Sequence, residues 1–361
     1  MNVLVFIPYL HDTVPGQRFR IEQWARALGP AGVRFHFVPF QSERLNRVFY
    51  AQGRLAEKAA ELLRGVGRRL RFLARMGNQW DAVFLHRELM PFGPPLLERI
   101  LAGKGMPVVY DFDDAVYLPN VSDVNRAFAR LKWVSKTATI CGLAAHVTVG
   151  NRHLAGWARP YARQVSVLPT TIDTDSYTPK DSAGIRGVPV IGWSGSLSTI
   201  KHLRTVEGAL RRLRTAVDFR LRVVGDRSYA VPGLEVESKD WSAETELCDL
   251  RSFDVGIMPL PDDEWSRGKC GLKALQYMAV GVPAVVSPVG VNTEIVEDDR
   301  NGFLADGEIE WIDKLRRVLA DEGLRARFAR EGRRTVEERY SARAQAPRLR
   351  EILDQVRRRR S

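Results

Sequence analysis

Short apolar runs of strand type alternate with longer amphipathic stretches of helical period along almost the whole chain, and this restricts the fold more than any other feature. Val3–Pro8, Val33–Val38, Ala82–Leu85, Val108–Tyr110, His146–Val149 and Val165–Leu168 read as strands. Between them the period predicts helices near 18–28, 53–76, 92–103, 122–139 and 151–161. Strands that are apolar on both faces and separated by helices make a parallel sheet covered on both sides. Residues 178–188, TPKDSAGIRGV, are polar, rich in Pro, Gly and Ser and without period, as in an interdomain linker. The pattern then restarts with strands at Pro189–Trp193, Phe219–Val224, Val255–Met258 and Ala284–Ser287. Helices are expected near 200–215, 242–251, 271–280, 309–335 and 340–356, the last running into Arg357–Arg360. No repeat of solenoid length is present.

The expected fold class is therefore α/β, with two tandem Rossmann-like, doubly wound parallel-sheet domains. The expected boundaries are 1–180, 189–338 and a C-terminal helix with a basic tail at 339–361. At about 150 residues per domain, 361 residues accommodate this division. Such a pair places a ligand cleft at the carboxyl ends of its sheets.

Composition narrows the function classes. The formal charge of +12 attracts anions: phosphates, acidic headgroups or nucleic acid. Cys141, Cys248 and Cys270 are too few and scattered for a disulfide framework or a CxxC metal site, which favours a reducing cytoplasm. The N-terminal apolar run has no basic region ahead of it and is shorter than an export signal requires. No charge-free window of about 20 apolar residues occurs, so any membrane contact is expected to be peripheral.

The most informative segment is Lys269–Val289, KCGLKALQYMAVGVPAVVSPV. Gly271 opens a helix directly after a loop carrying Arg267 and Lys269, so free backbone N–H groups and two cations converge where a phosphate would sit. Gln276 follows within two turns, its amide suited to ribose hydroxyls. Gly281 and Pro283 then end the helix ahead of a buried strand. WSGSLSTIK, ending at Lys201, also joins a strand to a helix and makes a second anion site. Behind the first strand, Pro15 and Gly16 precede Gln17, Arg18 and Arg20, and a loop in close approach to a ligand needs the absent side chain of Gly16. His86 stands at the carboxyl end of a strand with Arg87 and Glu88 beside it, where doubly wound sheets expose functional groups. It fits either a functional imidazole or a hydrogen-bonded core residue. The next strand ends in YDFDD, and its carboxylates Asp111, Asp113 and Asp114 invite a divalent-cation reading.

The Lys269–Val289 segment resembles the signature of the retaining glycosyltransferases of GT-B architecture, the group often called glycosyltransferase family four. The match lies in Met278, Ala279, Gly281, Pro283, Val285, Val286, Ser287 and Gly290. The signature's two glutamates are replaced, by Gly268 and Gln276. In the WSGSLSTIK loop the family's Lys is matched by Lys201, while its pyrophosphate-gripping Arg falls on Ser196. Leu168, Pro169, Thr170, Thr171, Ile172 and Asp173 also resemble a strand end of the family, with two Thr in place of Asn and Gly.

The resemblance implies transfer of a sugar from a nucleotide diphosphate sugar, UDP or GDP first among them, to an acceptor hydroxyl with retention. It implies no metal and no cofactor. His86, Lys201, Arg267 and Lys269 would be catalytic. The donor would be held by Gly16, Gly195, Ser196, Lys201, Gly225, Lys269, Cys270, Gly271, Leu272 and Gln276. The acceptor, a glycan or lipid-linked hydroxyl, would meet Arg18, Arg20, Arg87, Glu88, Asp111, Asp113 and Asp114. Cell-surface polysaccharide, lipopolysaccharide or glycolipid synthesis is the implied setting, in the cytoplasm or on the inner face of the membrane.

Two further readings stand beside it: a nucleotide-sugar 2-epimerase on the same architecture, and a non-catalytic basic protein binding nucleic acid or other anions. The second lacks the interleaved basic and aromatic motif of known modules, so no nucleic-acid partner is expected. Residues 53–76 form a basic amphipathic helix with Leu55, Ala59, Leu62, Leu63, Val66, Leu70 and Leu73 on one stripe and Arg64, Arg68, Arg71 and Arg75 mainly elsewhere. That pattern fits either an anionic membrane surface or a core helix with a solvated basic face.

Overall fold

The computed structural model describes residues 1–49, 53–119, 133–181, 184–185 and 187–359. Two compact units account for the chain, Met1–Thr170 with Gln345–Ser361, and Thr171–Ala344. The first contains β1 (Asn2–Ile7), β2 (Arg34–Pro39), β3 (Ala82–His86), β4 (Val108–Phe112), β5 (His146–Val149) and β6 (Val165–Val167). These form one parallel sheet in the order β2-β1-β3-β4-β5-β6. Strand order reverses between β1 and β3, and ligands of such sheets bind at the carboxyl ends beside that reversal. The apolar runs are fully buried at β3, β4 and β5, as a sheet covered on both faces requires. One core of this unit joins Val3, Val5, Ile7, Trp24, Phe84 and Val109 to Leu349, Leu353 and Val356 of the last helix, Ala342–Arg358.

The second unit contains β7 (Val190–Ser194), β8 (Arg220–Val224), β9 (Val236–Lys239), β10 (Val255–Met258), β11 (Ala284–Val286) and β12 (Phe303–Leu304). The order is β12-β11-β10-β7-β8-β9, again all parallel, with the reversal between β7 and β10. Its core includes Ile191, Trp193, Leu210, Leu221, Ile257, Val285, Phe303, Leu315 and Phe328.

Several expectations change. The described start of the stretch 178–188 is no free linker. Lys180 donates its backbone N–H to the Val280 carbonyl at 2.9 Å and its ammonium to the Phe253 carbonyl at 2.8 Å. The units therefore divide earlier, between Thr170 and Thr171, and the final helix belongs from Gln345 onward with the first unit. Strands β9 and β12 were not expected, the former half-buried and polar at a sheet edge, the latter two residues long. The helix expected over 309–335 breaks at Asp321 into Gly307–Ala320 and Glu322–Thr335. Short helices at Glu43–Phe49, Glu264–Arg267 and Asn292–Ile295 lacked enough turns to show a period. Of the helix expected over 122–139, residues 122–132 lie outside the described residues and the remainder forms Lys136–Leu143. The Leu55–Arg75 helix departs from the core-helix alternative, because Leu73 alone of its apolar stripe is buried. Among the described residues no helix is long and apolar enough to cross a membrane.

Candidate functional site

In the second unit, the carboxyl ends of β7 and β8 bring Gly195 and Gly225 into backbone contact. Gly225 has a φ of 124°, and a Cβ there would lie 1.9 Å from the Gly195 carbonyl oxygen, so only glycine fits. The loop that follows holds Ser196 exposed, its hydroxyl 2.9 Å from that of Ser198 and its N–H donating to Thr199 Oγ1 at 3.0 Å. Lys201 is exposed on the short helix after this loop. Its neighbour His202 is buried, with Nε2 unpartnered.

Burial is the largest influence on His202 and lowers its pKa, and the charges of Lys269, Lys273 and Lys201 lower it further against a smaller opposing effect of Asp263; the outcome is about 4. The imidazole thus remains neutral within reach of three ammonium groups. Lys273 lies 5.1 Å from the Trp193 ring, and Trp193 in turn stands against Gly195. Lys269 lies 5.6 Å from the Trp265 ring. Lys269 and Lys273 flank the N-terminus of the Leu272–Ala279 helix, and Lys201, on the Ile200–Leu203 helix, acts with them on His202, an arrangement of charge and backbone N–H groups suited to an anion. Gly271 caps this helix at a φ of 69°, where a Cβ would meet Ile295 Cδ1 at 2.2 Å. Cys270 is buried with Sγ 3.8 Å from the Gly268 carbonyl, and Leu272 is half-buried in the first turn.

Two expected members of this site are engaged elsewhere. Arg267 is exposed and forms a two-pronged pair with Asp262, at 2.6 and 2.8 Å. A guanidinium held by a surface carboxylate has much of its charge compensated, and a catalytic role of the kind expected for Arg267 requires release of that pair. Gln276 is buried and donates its amide to Glu246 at 3.2 Å, so the NH2 expected for ribose is turned to a protein carboxylate. That carboxylate also receives Tyr177 at 2.5 Å and Trp241 at 3.0 Å. Glu246, His202 and Lys273 escaped the sequence reading. Only Lys273 had a usable signal, its position one turn beyond Lys269.

In the first unit, a buried network occupies the carboxyl ends of β3, β4 and β5. Arg20 grips Asp111 through Nε at 3.0 Å and Nη2 at 2.5 Å, and donates Nη1 to the Leu168 carbonyl at 2.9 Å. His86 Nδ1 lies 2.8 Å from Asp111, and Thr148 donates to the same carboxylate at 2.7 Å. Burial alone would raise the Asp111 pKa; the Arg20 guanidinium and His86 outweigh it and hold the carboxyl well below its ordinary range. Arg20 and Asp111 are wholly buried, which corrects the expectation that they touch acceptor hydroxyls. They hold the strand ends together. His86 is equally buried, its Nε2 without a partner.

The acidic cluster nearer solvent is also matched by cations. Arg87 sits at a φ of 62°, a conformation rare outside glycine, and donates to Asp113 at 2.9 Å and Asp114 at 3.1 Å. Burial works against the Arg87 charge, and Asp113 and Asp114 more than reverse this, raising its pKa well above the usual value. A Cβ on Gly16 would lie 2.7 Å from Asp113 Oδ2 and 3.2 Å from Arg87 Nη2, so the expected close approach at Gly16 is to this pair. Glu88 pairs with Lys136 at 2.8 Å, and Arg18 lies 3.4 Å from Asp12. The acidic trio is thus engaged by guanidinium groups. Among the described residues, His11, Asp12 and Glu22 bring ligand atoms within 4.8 Å of one another, but Glu22 already accepts from Gln17 at 2.6 Å.

Residues 188–321, within the second unit, match the family described as Glycosyl transferases group 1. The D-inositol 3-phosphate glycosyltransferase of Xylanimonas cellulosilytica is 30% identical over 196 residues, which cover 46% of this chain and 45% of that protein. A protein of the same name from Paenarthrobacter aurescens is 26% identical over 186 residues, 44% of each. The chain spans about half the length of the curated relatives it matches. Among solved structures, sucrose-phosphate synthase from Thermosynechococcus elongatus superposes with a TM-score of 0.72 at 15% identity, covering 98% of both chains. Anabaena HepE in complex with UDP-glucose gives 0.67 at 16% identity, covering 98% of this chain and all of the other. The fold is that of the GT-B glycosyltransferases, two Rossmann-like parallel-sheet units in tandem.

Proposed function

We propose that this protein transfers a sugar from a nucleotide diphosphate sugar to an acceptor hydroxyl, holding the diphosphate in the second unit and the acceptor at the carboxyl ends of the first sheet. The observation that carries this reading is the close approach of Gly195 and Gly225 at the strand ends with Lys273 5.1 Å from Trp193 beside them, where the charges of Lys201, Lys269 and Lys273 all act on buried His202. The acceptor oxygen forms its bond to the anomeric carbon as the bond from that carbon to the diphosphate breaks. The electron pair leaves with the nucleotide diphosphate, and the acceptor's proton passes to the departing phosphate oxygen on the same face, with retention. Charge grows on the diphosphate in this step, and fixed cations with helix N–H groups act where it grows. Lysines and backbone N–H groups, rather than a resident metal, supply that charge.

UDP is the first candidate base, supported by the UDP-glucose bound to HepE. The charged groups Arg18, Arg87 and Glu88 of the first unit, each half-buried in an ion pair, suit a polyhydroxylated or phosphorylated acceptor, in keeping with relatives named for D-inositol 3-phosphate. A glycan or lipid-linked hydroxyl belongs to the same class, and glycolipid or polysaccharide synthesis is the process proposed.

The test is thermal stabilisation by UDP, GDP, ADP and TDP, with the matching nucleotide sugars. At a ligand concentration a hundredfold above Kd, a bound nucleotide stabilises the folded form by about 2.7 kcal/mol. One nucleotide should raise Tm, and Lys201→Ala or Lys273→Ala should remove most of the rise. If no nucleotide shifts Tm, or if the shift survives both substitutions, the diphosphate site assigned here is wrong.

A further inference from the structure

We propose that the Leu55–Arg75 helix is a docking face for an anionic lipid surface. This goes beyond the transfer reaction and does not depend on it. The helix is attached to its unit by its polar side. Lys58, Glu61, Gly65, Arg69 and Leu73 are the buried positions. Arg69 donates to the carbonyls of Val38 and Ile7 at 2.7 and 2.8 Å and lies 4.7 Å from the Phe6 ring. Glu61 accepts from Ser42 at 2.8 Å. At Gly65 a Cβ would stand 2.7 Å from the Phe40 ring, so the helix approaches closely at that point.

This anchoring turns the leucines outward. Leu55 is 52% exposed, Leu63 68% and Leu70 44%, on a stripe that Ala59, Leu62 and Val66 continue as half-buried positions. The neighbouring Leu96–Ala102 helix packs against this one and exposes Leu96 and Ile100 one turn apart. Water-exposed leucines in a row cost solvation free energy, and such patches mark surfaces that something covers.

Charge identifies what covers it. No acidic residue occurs from Leu62 to Trp80, and Arg71 and Arg75 are exposed on the same helix as the leucines, whereas Arg64 pairs with Glu61 and Arg68 donates to the Phe40 carbonyl at 2.9 Å. At the C-terminal end Arg68, Arg71 and Arg75 surround an open cavity of about 320 Å³ walled by Phe72, Met76 and Trp80. A lipid surface meets both demands. Acyl chains take the leucines, and headgroup phosphates lie at the depth that arginines reach from the same helix. A nucleic acid would use the arginines and leave the leucines in water. A second copy of this face would oppose like charges.

The full-length protein is tested by co-sedimentation with phosphatidylcholine vesicles in which roughly one lipid in three is phosphatidylglycerol, and with phosphatidylcholine alone. Binding should require the anionic lipid and fall as salt rises. Arg71→Gln with Arg75→Gln should weaken it roughly 30-fold at low salt, and Leu63→Ser with Leu70→Ser should weaken it comparably. All four positions are on the surface, so Tm and nucleotide binding should be unchanged. Equal binding by wild type and both double variants overturns the proposal, as does binding that ignores lipid charge. Loss of a self-associated form in the leucine variant, with no vesicle binding in the wild type, overturns it in favour of an interface between copies.

Discussion

At the scale of single residues, His202 responds most to its surroundings. Folded, it holds off a proton until about pH 4, against 6.5 in an unstructured chain. Because the folded form refuses a proton that the unfolded form accepts, stability is complete above pH 6.5, declines as pH falls from there, and reaches its full deficit below pH 4. Tm measured across this range should fall less steeply for His202→Gln than for the wild type. A diphosphate that offsets the lysine charges should draw a proton onto the ring, so nucleotide binding measured calorimetrically in buffers of different ionisation enthalpy should show proton uptake, absent in His202→Gln. The placement of Lys201 and Gly271 at helix starts was legible because helix starts and glycines carry their geometry in the local sequence. His202 and Glu246 were not, since what makes each unusual is the company of residues from distant segments. Asp111 shows the opposite failure. Its carboxylate was visible, but Arg20, which buries and neutralises it, gave no sign of the pairing.

Among elements, what the sequence shows depends on burial. Strands such as β3 and β4 are apolar on both faces and announce themselves, whereas β9, with the residues VESK at an edge, keeps one face in water and reads as a loop. The break at Asp321 was in plain view as a capping residue within a helical period. Its carboxylate accepts the Leu324 N–H at 2.9 Å and starts the second helix. Asp321→Ala should cost about 1 kcal/mol, and Asp321→Asn much less, as read by urea unfolding. The Leu55–Arg75 helix shows why periodicity is insufficient. A stripe of leucines states that one side is apolar and leaves open which side faces the protein. Here carbonyl groups at strand ends and the Phe40 ring select the polar side.

For the whole molecule, the two-sheet fold was legible because the alternation of elements restarts after residue 188, whereas the boundary between units was misplaced because polar composition marks exposure rather than separation. The first unit is discontinuous, and Leu349, Ile352, Leu353 and Val356 return to fill its core. Removing residues 345–361 strips four large buried side chains, which at about 1.5–3 kcal/mol each amounts to most of the stability of an ordinary domain. Hydrogen exchange on that truncated chain should find the first sheet unprotected while β7, β8 and β10 keep their protection.

The same return of the chain has a consequence for synthesis. A ribosome delivers the entire second unit before it delivers the residues that complete the first. The N-terminal sheet, although made before the second unit, must wait with part of its apolar surface uncovered until that whole unit has been synthesised, and depends on chaperones for that interval.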